Sequence, residues 1–250
     1  MTAVIHHRPC ARCSKARVVL GVDSRIDEAL RAAVLYRSLS GEDRARLAEV
    51  SVLRSYGRDE ALFSEGDTSD FIHTIVKGRA KVVKLLASGK EVILEIFGPG
   101  DPIGAVVAYE GRPYPATALA LEPTTCLLVK RAAFFALLER HPTLVRSFIL
   151  GLTQRIVELT RRIPEVSGGR VETRFAHLFL KLGSRMGIAR SEGTFIPMPL
   201  TRQDLADLTG TTVETCIRIM SRWGKEGLVR TDKDGFVLLN QPVLEKLTEG

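Results

Sequence analysis

Two short apolar stripes at helical spacing share the segment LTRQDLADLTGTTVETCIRIMSRW, residues 200–223. In the first, Leu205, Ala206 and Leu208 form the buried side. Thr201 precedes them as an N-cap with Asp204 three residues on, the spacing of a capping box. Gly210 ends the run, because a corner that needs positive φ is cheap only for glycine. Thr212 caps a second helix whose apolar side is expected at Val213, Ile217, Met220 and Trp223. Glu214, Thr215, Arg218, Ser221 and Arg222 are then left to face outward. A helix exposing Glu and Arg four residues apart behind a glycine turn suits the DNA major groove. Arg can fork onto guanine O6 and N7, and Glu can accept from cytosine N4. The same pattern also fits a solvated i,i+4 ion pair on an ordinary helical corner.

Elsewhere the pattern changes twice. From about residue 52 to 129, Val, Ile, Leu and Phe runs alternate with Gly and Asp punctuation roughly every ten residues, which predicts an antiparallel sandwich or barrel. Before it lie a short amphipathic helix over 26–35 and a second helix capped by Ser40. After it, Val145, Ile149, Leu152, Ile156, Leu159 and Ile163 recur at alternating steps of four and three. That is an a/d seam, and it predicts pairing with a second copy; the plainer alternative is a helix lying on its own barrel. Pro164 and Gly168-Gly169 predict a kink or break acting as a hinge. A further helix begins at Val171 and runs through Phe175, Leu178, Phe179 and Leu182.

Composition narrows the class. A chain of 250 residues with 45% hydrophobic residues can bury one large core or two modest ones. The absence of a long apolar run or signal-peptide pattern leads to an expectation of a cytoplasmic protein without a membrane partner. The net charge of +7 suits a nucleic-acid partner. Residues 170–250 carry 12 Lys/Arg against 10 Asp/Glu, so the excess is not concentrated there and the case for DNA rests on placement. Four cysteines are too few for a disulfide scaffold, which leaves reduced thiols or metal ligands. Cys216 reads as a small core residue. Residues 1–25 form a basic leader, expected to be poorly ordered, with His6, His7 and a C-x-x-C at Cys10 and Cys13.

The segment from Thr201 to Arg218 resembles the helix-turn-helix of the CRP/FNR family of bacterial transcription regulators, whose pattern TRx(D/E)I-(x)4-G-x(T/S)xETxxR it matches at nearly every fixed position. Lys225 to Val229 and Asp234 to Leu239 resemble the winged hairpin that follows. Phe63-Ser64-Glu65-Gly66-Asp67, Phe71 to Gly78, and Pro99-Gly100-Asp101-Pro102-Ile103-Gly104 resemble the landmarks of the family's β domain. The resemblance covers about residues 36–240. It implies an α+β fold: an N-terminal antiparallel β-barrel of jelly-roll, cyclic-nucleotide-binding-like type, a long dimerisation helix and a C-terminal winged helix-turn-helix. The expected bounds are a leader at 1–25, a sensor domain at 26–140, dimerisation helix and hinge at 141–168, and a DNA-binding domain at 169–245.

The resemblance also says what the sensor lacks. Cyclic-nucleotide-binding relatives carry a Glu after the pocket Gly and an Arg for the phosphate. Here Gly104 is followed by Ala105, and the Arg position falls on Tyr114. A phosphodiester buried without a cationic partner is costly, and Arg112 could substitute only through a loop shift. Base-facing positions on the long helix fall at Leu159 and Thr160. Control by cyclic AMP is therefore not expected. Iron–sulfur relatives use N-terminal cysteines plus one from the barrel. Cys10, Cys13 and Cys126 offer part of such a set, with Cys126 displaced by one residue from the family position and hence expected on the other strand face, and His6 or His7 could complete it. A haem site through His73 is a further alternative. So is a self-filled pocket, closed by the apolar loop Ala105 to Tyr109, that needs no effector, or one that takes an unidentified effector.

Carried over to this chain, Glu214 and Arg218 would read the G·C pairs of a TGA-like half-site. Val213 and Ile217 would adjoin further bases, and Ser221 and Arg222 complete the outward face. Arg202, Gln203, Thr212 and Thr215 would touch phosphates. A two-fold dimer predicts a TGA-N6-TCA-like palindrome in double-stranded DNA. RNA polymerase is a further partner the resemblance allows, with no surface for it legible in the sequence. An enzyme is not expected: no phosphate loop, H-E-x-x-H or nucleophile elbow is present. The C-x-x-C sits in the leader rather than at a βαβ junction, which argues against a thiol-redox enzyme. A barrel used only for protein contacts would leave the helix-turn-helix without purpose.

Overall fold

The computed structural model describes residues 24–248 apart from 34, 38, 87, 88, 90, 168 and 169, with the backbone alone for residues 147, 154, 155 and 158–167. His6, His7, Cys10 and Cys13 lie outside the described residues.

Two short helices open the fold, α1 (Ser24–Ala32) and α2 (Gly41–Glu49). Ser40 caps α2, its side-chain oxygen accepting from the Asp43 N–H, as the sequence predicts. Eight strands follow: β1 (Ser51–Tyr56), β2 (Ala61–Phe63), β3 (Phe71–Lys77), β4 (Ala80–Leu85), β5 (Glu91–Phe97), β6 (Pro102–Ile103), then, after helix α3 (Ala105–Glu110), β7 (Thr117–Ala120) and β8 (Thr124–Lys130). They form two antiparallel four-stranded sheets, ordered β1-β8-β3-β6 and β2-β7-β4-β5. Apart from the β4–β5 hairpin, sequence neighbours are split between the sheets, the arrangement of a jelly roll.

Register decides which side chains meet. Cys126 on β8 stands opposite Arg54 on β1 and Ile75 on β3, and Leu128 stands opposite His73. Because successive side chains alternate in face, Tyr56, Ile75, Cys126 and Leu128 point between the sheets, where they pack with Phe63, Phe97, Ile103 and Tyr114. The opposite face of the same sheet carries Ile72, Leu127 and Val129. These are covered by Leu30, Tyr36, Leu47 and Phe134 from α1, its following turn, α2, and α4 (Arg131–Leu138).

Helix α5 (Pro142–Ser167) then runs 26 residues. The expected interruption at Pro164 is not found. The helix continues through Pro164 to Ser167, giving up the one backbone bond that a proline cannot donate; residues 168 and 169 lie outside the described residues. Of the expected seam, Val145 is turned partly into the chain's own core beside Phe148. Ile149 and Ile156 are exposed, Leu152 is half-buried, and the side chains of Leu159 and Ile163 are outside the described residues. Leu150 and Val157 widen the exposed apolar strip.

The last part comprises α6 (Val171–Met186), β9 (Ile188–Arg190), β10 (Gly193–Ile196), α7 (Arg202–Thr209), α8 (Val213–Lys225), β11 (Val229–Asp232), β12 (Gly235–Leu238) and α9 (Gln241–Lys246). Its sheet order is β11-β12-β10-β9. Three helices pack on a small sheet whose β11–β12 hairpin is the expected wing. The β9–β10 hairpin and α9 add elements the sequence pattern did not suggest. No helix among the described residues is long and apolar enough to cross a membrane.

Candidate nucleic-acid interface and sensor pocket

Helix α7 begins with a complete capping box. The Thr201 hydroxyl accepts from the Asp204 N–H at 3.0 Å, and the Asp204 carboxylate accepts from the Thr201 N–H at 2.9 Å. Gly210 closes it at φ 67°, the left-handed conformation the turn requires. Thr212 caps α8 by accepting from the Thr215 N–H at 3.3 Å. Thr212 thus stands exposed at the start of α8, with Val213 as the first helical residue.

The apolar side of α8 differs from the sequence expectation. Cys216, Ile219, Met220 and Trp223 are the buried residues. They pack on Phe175, Phe179 and Phe236, with the Phe175 and Trp223 rings edge-on at 6.2 Å. Ile217 is 51% exposed. One residue is a 100° step around a helix, so a seam through 216, 220 and 223 turns Ile217 away from the core. It joins Glu214, Arg218 and Ser221 on one open face. Val213 is half-buried at the edge of the core. Cys216 is buried as expected, and burial lifts its thiol to about 11.

The charged residues around this face are not equally available. Arg218 is exposed and has no ion pair among the described residues. The Glu214 carboxyl is held below its ordinary range by its own backbone N–H and the Thr212 hydroxyl, so it stays an acceptor. Arg222 is paired with Glu172 and lies 3.7 Å from Glu226. Arg202 donates to the Thr231 hydroxyl at 2.8 Å, which ties the start of α7 to the wing. Gln203 donates to Asp207 at 2.9 Å. Thr215 is half-buried.

In the barrel, Tyr114, at the position that the family resemblance gives to a phosphate-binding Arg, is buried. The Tyr114 ring stacks on Phe63 with centroids 3.7 Å apart, and its hydroxyl donates to the Phe71 carbonyl at 2.7 Å. Gly104 adopts φ 78°, and a β-carbon there would fall 2.6 Å from Tyr114 Cε1. The turn at Ser64 to Asp67 is pinned to the same residue, with Gly66 N–H to the Tyr114 carbonyl at 2.8 Å and Tyr114 N–H to the Asp67 carbonyl at 2.9 Å. The apolar stretch after Gly104 is helix α3, which buries Ala105 and Ala108, packs Val107 against the barrel interior and leaves Val106 and Tyr109 exposed. Leu159 and Thr160 fall in the part of α5 whose side chains are outside the described residues. The Arg112 side chain is exposed and lies 3.4 Å from Glu110.

Two further candidates change character here. His73 is buried beside Phe63, its Nδ1 without a hydrogen-bond partner among the described residues, and desolvation with the nearby Arg54 charge lowers its pKa to about 4. Cys126 faces the barrel interior and is fully buried, and desolvation raises its thiol to about 12. A cysteine ligates a metal or cluster as a thiolate beside other ligands. The neighbours of Cys126 at the centre of the barrel are aromatic and aliphatic. Among the described residues no group of three or more His, Cys, Asp or Glu could hold a metal ion.

The fold therefore defines a two-part class: a jelly-roll domain of sensor type, a long connecting helix and a winged helix-turn-helix with an open reading face. Comparison with known proteins agrees for both parts. Residues 53–141 match the cyclic nucleotide-binding domain family, and residues 173–247 match the Crp-like helix-turn-helix domain family. The chain belongs to the CRP/FNR family of transcription regulators. It is 28% identical over 214 residues, 85% of this chain and 87% of the other, to the transcriptional activatory protein AadR of Rhodopseudomonas palustris. It is 24% identical over 222 residues, 88% and 99% of the two chains, to the cyclic AMP receptor protein of Thermus thermophilus. Among solved structures, FixK2 from Bradyrhizobium japonicum superposes with a TM-score of 0.70 at 24% identity, covering 79% of this chain and 97% of that one.

Proposed function

We propose that the protein is a homodimeric, cytoplasmic transcription regulator that reads a TGA-N6-TCA-like palindrome and does so without cyclic AMP. The DNA-binding role itself follows from the family. The site and the signal are our reading. One observation carries the first part: Glu214, Ile217, Arg218 and Ser221 share the exposed face of a capped helix, with Arg218 free of an ion pair among the described residues. Arg218 is assigned the guanine of each half-site and Glu214 the cytosine amino group. Ile217, now outward, is assigned a thymine methyl. Arg202, Gln203, Thr212 and Thr215 are assigned phosphate contacts, and Arg222 joins them once it leaves Glu172.

The dimer is supported by the exposed Ile149, Leu150, Ile156 and Val157 on α5, an apolar strip that a monomer would leave in water. The sensor domain of 26–140, the connecting helix of 141–168 and the DNA-binding domain of 169–245 are the corresponding functional units. Independence from cyclic AMP is supported by Tyr114, whose ring fills the phosphate position, and by Ala105 in place of the ribose-binding carboxylate.

The test is fluorescence anisotropy of the full chain on the palindrome and on a scrambled duplex, in air, with chelator and without nucleotide. Selective binding is expected. Arg218→Ala should cost about 1–3 kcal/mol and relax the preference for G at one position per half-site. A loss equal on all sequences would reduce Arg218 to a backbone contact.

A further inference from the structure

The corner where β8 passes into α4 carries a second open site of the sensor domain. β8 ends at Lys130, which stands opposite Phe71 at the start of β3, and α4 begins at the next residue, Arg131. The Arg131 N–H donates to the Asp70 carbonyl at 2.9 Å, which fixes the corner. Helix α3 brings Tyr109 beside it, and the Tyr109 ring meets Phe135 of α4 edge-on at 5.3 Å. These residues border an open groove of about 630 Å³, within the range of small-molecule sites. All of its described walls belong to the sensor domain.

Its walls combine flat apolar surface with unpaired positive charge. Tyr109 is 69% exposed, and Phe71 and Phe135 are half-buried behind it. The Arg131 guanidinium lies against Gly111, where a β-carbon would stand 2.8 Å from Nη2 and 2.9 Å from Nη1. Arg131 is half-buried, yet its guanidinium makes no hydrogen bond or ion pair among the described residues. A cation that is partly dehydrated, held in place and without a counter-charge favours an anion it can fork onto. Lys130 adds a second positive charge at the rim. Asp70, the acid among the described walls, accepts from the Thr68 hydroxyl at 2.6 Å.

We propose that this groove binds a small organic carboxylate with a planar apolar body, its carboxylate on Arg131 and its body against Tyr109 and Phe135. An aromatic face prefers an offset or edge-on apolar partner, and a guanidinium pairs with a carboxylate through two parallel bonds. The leader of the chain itself is a poor occupant. Residues 1–23 carry four Lys/Arg and one Asp, a charge of the same sign as the groove, and like charges repel. The site does not depend on the DNA reading of α8.

The test is titration calorimetry of the full chain with 2-naphthoate as the probe and 2-naphthalenemethanol as its uncharged counterpart. Naphthoate should bind saturably, one per chain and about tenfold more tightly than the alcohol, the range of a hydrogen bond to a charged group. Arg131→Gln should lose that tenfold and bind the two compounds alike. Tyr109→Ser, at an exposed side chain, should weaken both, because the stacking surface goes with it. Comparing the two compounds on the wild type needs no variant to fold. Absence of saturable naphthoate binding, or equal binding of the two compounds, would overturn the proposal. Binding unchanged by Arg131→Gln and Tyr109→Ser would overturn it too, and would move the probe to another apolar surface such as the strip on α5.

Discussion

The ring of Tyr114 lies against Gly104 so closely that a β-carbon on the glycine would stand 2.6 Å from Cε1. By the family resemblance, Gly104 precedes the ribose-binding position and Tyr114 stands at the phosphate-binding one. Titration calorimetry with cyclic AMP should therefore register no saturable heat. Tyr114→Ala should open a cavity and lower stability by about 3 kcal/mol, read as the shift of a urea midpoint. High-affinity cyclic AMP binding to the wild type would show that the ring swings out.

His73 gives the barrel a defined pH response. Its imidazole is neutral and buried, with a folded pKa near 4 against an ordinary value of 6.5. The unfolded chain therefore binds more protons between those values, and stability rises with pH across that window. The contribution is complete above pH 6.5 and lost as pH falls towards 4. Thermal melts of His73→Gln should be flatter than wild type between pH 6.5 and 4. Parallel curves for the two proteins would place the response elsewhere.

The strip on α5 predicts association. Ile156→Asp sets a carboxylate on the exposed seam, 64% accessible in the isolated chain. If that surface is a dimer seam, the variant must bury or repel a charge at every two-fold contact. Sedimentation should find it monomeric where the wild type is dimeric, and palindrome affinity should fall with it. A monomeric wild type would remove the seam from the argument.

Buried thiols should be inert. Cys126 and Cys216, raised to about 12 and about 11 by burial, are thiols rather than thiolates at neutral pH. Iodoacetamide on the native protein followed by peptide mass spectrometry should leave both unmodified and label them after denaturation. Rapid native labelling of Cys126 would reopen its case as a ligand.

Much of this molecule was legible in its residues, for reasons that differ by element. The capping box at Thr201 and Asp204, the glycine turn and the alternating β texture are local signals. They survived because tertiary packing agreed with local preference. Ile217 was harder to place, because Val213, Ile217 and Met220 also keep helical spacing. Met220 and Trp223 belong to both stripes, and only the buried Cys216 and Ile219 show which one meets the core. The role of Tyr114 as pocket filling needed a resemblance to give the position meaning and a structure to orient the ring. The buried ion pair of Lys81 on β4 with Asp204 on α7 could not be found at all from sequence. A lysine on an alternating strand reads as a solvent-facing residue, and its partner is 123 residues away. The same holds for Asp204, whose capping role is local but whose second partner is not. Pro164 misled because a proline inside a helix costs one bond without having to end the helix.

The unbroken run of α5 has a mechanical consequence. At 1.5 Å per residue its 26 residues span about 39 Å. One end is seated among Phe134 and Phe148, and the other carries the winged helix. A tilt of roughly 5° at the seated end displaces the far end by about 3 Å over that length, close to the 3.4 Å rise of one base pair. On the palindrome proposed above, a lever of this length would convert a small repacking of aromatic rings beside the barrel into a change of spacing between the two half-sites.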